Sequence, residues 1–228
     1  MSAETANSQT CDLRQFATSV KNQGSCGSCW AFGTMAAAEG AHFLWAQTDT
    51  NGAYSPNVLS QPKYKDSWQL AEQILVDCCG ANYDSNGCGG GGASGPMQCA
   101  VDIAALPSTA SHPYTATDKH NCTYSRTQAN AFMSSWYQPC AFGDEVCLQQ
   151  LIGGPSCSSF FTTAIKTSIE VISSFYDYVD GVYSDPACPN TIHNHAVAIV
   201  GWGTQVSSTG SNKDYWILRN SWGTSLKV

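Results

Sequence analysis

Twelve cysteines in 228 residues constrain this chain more than any other feature. Thiols at that density are not kept reduced. The fold is therefore expected to be stapled by disulfides and to work outside a reducing cytosol, in a secreted, lysosomal or vacuolar setting. Residues 1 to 30 show no charged start followed by an apolar run. No signal peptide is visible there, so if the protein is secreted the sequence is expected to be a processed or trimmed form.

Disulfides are not the only stabilising resource. With 43% hydrophobic and 11% aromatic residues, the chain can bury a sizeable core, which excludes disorder. A formal charge of −7 without any basic cluster argues against nucleic-acid and anionic-membrane partners. No apolar run approaches the ~18 residues needed to cross a bilayer.

Along the chain, residues 2–10 read as a polar, loose end. A helix apolar on most sides begins at Cys29, carries Trp30, Phe32, Met35 and Ala36 to Ala38, and is expected to end near Gly40. Thr48 to Lys65, rich in Asn, Gly, Ser and Pro, reads as a surface excursion. A second helix is expected over Ser67 to Asp77, and a third over Pro96 to Ala105 with proline at its first position. Between them, the glycine-rich Gly80 to Gly95 must form turns that let backbone approach something closely. Asp144 is a candidate cap for a short helix reaching Ile152. Strands are expected at Ser168 to Ser173, Ala196 to Val200 and Tyr215 to Leu218, the last two joined through a long loop from Gly203 to Lys213. Helices first and strands later indicate an α+β fold with two subdomains.

The segment Gln23-Gly-Ser-Cys26-Gly-Ser-Cys29-Trp30-Ala-Phe32 concentrates the chemistry. Cys26 and Cys29 alone have the spacing of a redox pair or half a zinc site. Yet Cys29 opens the apolar helix, where N–H groups at the helix end stabilise a thiolate. Gln23 brings an amide donor suited to a developing oxyanion. A thiolate nucleophile also needs a base, and the base an orienting partner. His193 and His195 precede an apolar strand, and Asn220-Ser221-Trp222-Gly223 ends the next one. An asparagine oxygen there can hold the ring N–H of a histidine at the neighbouring strand and so fix its tautomer.

These three blocks, Gln23 to Phe32, Asn194 to Gly203 and Asn220 to Gly223, resemble those of papain-family (cathepsin-like) cysteine peptidases. The resemblance runs from about Cys11 to Gly223 and is carried least by residues 125 to 180. The interval from Cys29 to His195 is longer than the roughly 130–150 residues usual there; an insertion at Thr48 to Lys65 would account for the excess. The resemblance implies a helical left subdomain and a β-barrel-like right one, with the active site in the cleft between them. Residues 1–16 would cross to the β subdomain, 17–125 would form the helical subdomain with the nucleophile, and 126–228 would form the β-rich subdomain. The family continues beyond the position of Val228, so the last unit is expected to be incomplete.

By the same resemblance, Cys29 is the nucleophile, His195 the general base and acid, and Asn220 the group orienting the imidazole. Gln23 and the Cys29 backbone N–H form the oxyanion hole, and Trp222 shields the histidine–asparagine contact. Gly27, Ser28, Gly90 and Gly91 would meet substrate backbone, while Gly92, Ala93 and Ala196 would line a roomy, apolar pocket for the substrate's second side chain. The implied reaction is endopeptidase hydrolysis through a thioester, with no cofactor and no metal. Protein or peptide substrates, a propeptide or a cystatin-like inhibitor are the implied partners of a monomer.

The resemblance pairs Cys26 with Cys88 and Cys78 with Cys122, and leaves Cys188 without its usual partner. The pairing of Cys11, Cys79, Cys99, Cys140, Cys147 and Cys157 stays open among 15 possibilities. Alternative functions are an impaired, peptidase-like peptide-binding protein, a thiol–disulfide oxidoreductase using Cys26 and Cys29, and last a zinc module.

Overall fold

The computed structural model describes residues 9–48, 66–118, 121–123, 127, 129–206 and 212–224. The excursion expected at Thr48 to Lys65 lies outside them except for Thr48, as do most of the expected loose N-terminus and the end of the chain. The described elements form two packed halves. The first half holds helices α1 (Cys29–Thr48), α2 (Glu72–Cys78) and α3 (Gly95–Ile103), with strand β2 (Ala105–Pro107). Its core gathers Trp30, Met35, Leu70, Ile74, Leu75, Cys99 and Leu106, all at most 1% exposed. Strand β3 (Ala129–Phe132) returns to pair with β2, and Ala131 joins that core. The helical half therefore extends past the boundary expected at residue 125.

The second half is built on a four-stranded antiparallel sheet. Its long central strand β7 (His195–Val206) pairs along one edge with β6 (Ile165–Ile169) and then with β1 (Thr10–Asp12). Along its other edge runs β8 (Asn212–Arg219). Helix α4 (Glu145–Leu151) and the short pair β4 (Ile152–Gly153) and β5 (Ser159–Phe160) complete this half. Asp144 caps α4 by accepting the Cys147 N–H at 3.0 Å.

Several elements depart from their expected extents for tertiary reasons. Helix α1 does not stop at Gly40 but runs to Thr48. Glycine there serves packing: a Cβ would lie 2.7 Å from the Ala164 backbone nitrogen and 2.9 Å from the Ala164 Cβ. Gly40→Ala would gain helix propensity worth about 1 kcal/mol. The collision involves backbone, however, and overpacking of that kind costs about 1–3 kcal/mol. The variant should thus be destabilised, and a raised midpoint of urea unfolding would contradict this packing role.

The helix expected from Ser67 begins only at Glu72. Leu70 is drawn out of helical geometry by a bridge to Ser108, and its N–H goes to the Glu39 carboxylate at 2.8 Å. The strand expected over Ser168 to Ser173 lies earlier, because its pairing with β7 ends where Ile169 faces His195. The β7–β8 pairing also runs through most of the expected loop, out to Val206 opposite Asn212.

Five disulfides use ten cysteines: Cys11–Cys157, Cys26–Cys88, Cys78–Cys122, Cys79–Cys99 and Cys140–Cys147. Cys29 and Cys188 are free. Each bridge closes a loop that the unfolded chain would otherwise leave open, and so favours the fold.

The halves meet along α1, whose small residues allow close approach to β6 and β7. Ala36 packs with Ala164, Ala198 and Val200. Next to them lies a buried charge cluster. Glu39 of α1 accepts from Lys21 Nζ at 2.9 Å, Arg219 Nη1 at 2.8 Å and Thr18 Oγ1 at 2.7 Å, and Lys21 also reaches Glu72 Oε1 at 2.6 Å.

Candidate active site

Residues 22–28 reach the site because their backbone docks on the segment after β8. The Gln23 N–H donates to the Ser221 carbonyl at 2.8 Å, and Asn22 forms a bridge with Trp222. The Ser28 carbonyl then accepts the N–H groups of Ala31 and Phe32, closing the first turn of α1. Cys29 is left as the first helical residue, partly exposed and unbridged. N–H groups in a first helical turn have no carbonyl within the helix, and Cys29 stands at that end of α1.

Gly33 lies one turn beyond Cys29 on the same face of α1. It touches the start of β7: a Cβ there would be 3.5 Å from the Val197 carbonyl and 3.6 Å from the Ala196 Cβ. The helix end bearing Cys29 is thus apposed to the strand end bearing His195. His195 is 7% exposed, and its Nε2 lies 2.8 Å from Asn220 Oδ1. The same Oδ1 accepts the Ser221 N–H at 2.7 Å, which identifies it as the oxygen of the amide. Nε2 must therefore carry the proton in this pair, leaving Nδ1 of the neutral ring as acceptor.

Burial pushes the His195 pKa below its ordinary value, against the opposing pull of the Asn220 bond. The Trp222 ring covers the imidazole at a centroid distance of 4.6 Å. Tyr176 stacks on Trp222 at 5.4 Å and Phe175 meets it edge-on at 5.8 Å. Water is kept from the His195–Asn220 bond by this aromatic stack, which strengthens it.

Gln23 is held at both ends of its amide. Its Oε1 accepts from Ser221 Oγ at 2.5 Å, and its Nε2 donates to the Cys26 carbonyl at 2.9 Å. An amide nitrogen carries two protons, so one N–H stays available as a donor.

The glycine-rich segment is pinned beside Cys29 by several contacts. The Cys26–Cys88 bridge is joined by the Gly27 N–H donating to the Cys88 carbonyl at 2.9 Å, and by Trp30 Nε1 donating to the Gly87 carbonyl at 3.0 Å. Gly91 lies against the Trp30 ring, where a Cβ would be only 2.7 Å away. Gly90 and Gly91 thus present backbone at the surface next to the nucleophile helix.

Some expected roles change. Ser28 is 0% exposed and its hydroxyl bonds Tyr114 at 2.5 Å, so its side chain is structural and does not face a substrate. The pocket expected to be apolar and roomy is crossed by Lys166, whose Nζ bonds the carbonyls of Gly92 and Ala93. The redox reading fails because Cys26 is bridged to Cys88 and Cys29 is free.

Sequence reasoning missed three participants. Ser221 lies in the block from Asn220 to Gly223, where only its neighbours carried expected roles. Tyr114, which also donates to the Gln23 carbonyl at 2.9 Å, and Lys166 lay outside all three blocks.

The profile described as "Papain family cysteine protease" matches residues 7–227. Cathepsin S of Mus musculus is 36% identical over 213 residues, covering 92% of this chain and 52% of the relative. Digestive cysteine proteinase 1 of Homarus americanus is 34% identical over 210 residues, covering 91% and 55%. The chain spans about half the length of these curated relatives. Among solved structures, digestive procathepsin L 3 of the Tenebrio molitor larval midgut superposes with a TM-score of 0.73 at 29% identity, covering 98% of this chain and 62% of that one. Bromelain from Ananas comosus, in complex with the E64 inhibitor, gives 0.68 at 27% identity, covering 94% and 83%. With its α+β architecture and with similarity that spans nearly its whole length, the chain belongs to the papain family of cysteine proteases.

Proposed function

We propose that the chain is a cysteine endopeptidase in which Cys29 is the nucleophile and His195 the general base and acid. One observation carries the reading. A free thiol opens α1 beside the strand that starts with His195, and the Nε2 of His195 is already committed to Asn220. That leaves Nδ1 to exchange a proton with the sulfur.

In the proposed reaction, Cys29 Sγ gives its proton to His195 and attacks the peptide carbonyl carbon. The C–S bond forms as the carbonyl oxygen becomes an oxyanion. The spare Gln23 N–H and the Cys29 backbone N–H are the donors for that oxygen. Collapse breaks the C–N bond, and the leaving amine takes the proton from His195. Water then loses a proton to His195 and attacks the thioester. The C–S bond breaks, and the acid product leaves with the thiol restored. Gly27, Gly90 and Gly91 offer backbone for an extended peptide, and Trp222 roofs His195 at its edge.

The reading extends to the molecule's setting. Five disulfides support a lysosomal, vacuolar or secreted location. Similarity to procathepsins supports a propeptide as an intramolecular partner, and a cystatin-like protein is the inhibitor class we expect to bind the same cleft. Residues 17–125 and 126–228 are the two subdomains of this reading, with β3 lent to the first.

The test is covalent. A thiol-directed peptidyl epoxide should label one site, mapped by mass spectrometry to Cys29, and His195→Ala should slow the labelling at fixed pH. Equal labelling of Cys29 and Cys188 would count against an activated nucleophile.

A further inference from the structure

Lys166 sits opposite Ala198 in the β6–β7 register, and its side chain leaves the sheet towards α1. It passes over Gly33, where its Cγ would be 3.3 Å from an added Cβ, so the absence of a side chain at Gly33 makes room for it. The ammonium ends among Thr34 Oγ1 at 3.0 Å, the Gly92 carbonyl at 3.2 Å and the Ala93 carbonyl at 2.8 Å. All three acceptors are neutral. Among the described residues no carboxylate lies within ion-pair distance of Nζ. Burial pushes its pKa down to about 8, against the opposing influence of the Cys29 sulfur. The hydrogen-bond partners of this ammonium are therefore dipoles only, and the charge acting on it is that of the Cys29 sulfur.

We infer that Lys166 makes the subsite formed with Gly92, Ala93 and Ala196 an anion-binding one, selective for a glutamate or aspartate side chain at the second position on the acyl side of the scissile bond. The inference rests on the peptidase reading for the orientation of the substrate. A carboxylate entering here replaces the longest of the three contacts, that to Gly92, with a charge-assisted bond. An aliphatic side chain would have to lie against a partly desolvated ammonium and strip one of its acceptors without replacing it. The uncharged amide isostere of glutamate fills the same space but offers no charge. Comparing the two separates charge recognition from simple fit.

The experiment uses peptidyl aminomethylcoumarins identical except for Glu, Gln or Leu at that position. Two readouts are needed: kcat/KM with the native chain, and binding affinity with Cys29→Ala. Glu should exceed Gln by about tenfold or more in both, the range of one charge-assisted bond. In Lys166→Met the ratio should fall to about one, with Leu overtaking both, while Lys166→Arg should keep the preference for Glu. Circular dichroism checks that the Met variant folds; the Arg variant keeps the charge and tests the idea independently. Equal treatment of Glu and Gln by the native site, or a Glu preference that survives Lys166→Met, overturns the inference. Selective binding of Glu without turnover would leave the anion subsite standing and sink the peptidase reading. Absence of binding by all three peptides would sink both.

Discussion

Cys29→Ala should lower peptide hydrolysis by roughly 10⁴-fold or more in kcat, with the fold intact by circular dichroism. The size of the loss follows from chemistry. Without sulfur there is no thioester, and the single difficult displacement is no longer divided into two easier ones. No other thiol can substitute at this position, because ten of the twelve cysteines are bridged and Cys188 lies in the segment before β7. Groups that act as a unit give non-additive losses. Adding His195→Ala to Cys29→Ala should therefore cost almost nothing further, although His195→Ala alone should be severe. Residual activity above about one part in a hundred of the native rate in either single variant would mean that the proposed pair is not the reacting one.

The second large effect concerns stability. Glu39→Gln should destabilise the docked halves by about 3–5 kcal/mol, the cost of removing one member of a buried ion pair. The glutamine preserves shape, but Lys21 and Arg219 are left buried with less counter-charge. Burial by itself would raise the Glu39 pKa; the charges of Lys21 and Arg219 overcome it and hold the group at about 2, below its ordinary 4.5.

The sign of the pH dependence follows. A carboxylate whose pKa is depressed in the folded state contributes stability that is present above 4.5 and lost as pH falls towards 2. Glu72 acts the other way. Burial raises its pKa, Lys21 opposes this, and the nearby Glu39 charge adds to the rise. It therefore favours the fold when protonated and penalises it as pH climbs. Urea unfolding of the native chain, followed by tryptophan fluorescence with disulfides intact, should weaken steadily below pH 4.5. Glu39→Gln should lose that acid slope. An unchanged slope would show that another carboxylate carries it.

How far this molecule could be read from its sequence depended on whether the constraint was local. Cys29, Gln23, His195 and Asn220 were legible because thiol chemistry demands particular residue types, and those residues fall in short contiguous blocks. The α+β order was legible from the change in hydrophobic period along the chain, and Asp144 from local capping chemistry. Gly40 misled, because a glycine required by close packing resembles one that ends a helix. The late start of α2 was invisible, since it depends on a bond from Leu70 to a carboxylate 31 residues away in sequence. Lys166 was hidden for a different reason. A specificity group needs only one side chain of suitable length and charge on β6, and nothing in residues 125 to 180 marks the spot.

The disulfides have a consequence of their own. Cys26–Cys88, Cys78–Cys122 and Cys79–Cys99 lie within the helical half, whereas Cys11–Cys157 and Cys140–Cys147 lie within the sheet half. No disulfide crosses the boundary between the two halves; that boundary is closed by alanine packing, the Glu39 charges and hydrogen bonds such as those of Gln23 with Ser221 and Lys166 with Thr34. Mild denaturant should accordingly prise the two laced bodies apart before either unravels. Hydrolysis would fade while helical ellipticity persists, and dilution would restore it without any reshuffling of sulfur.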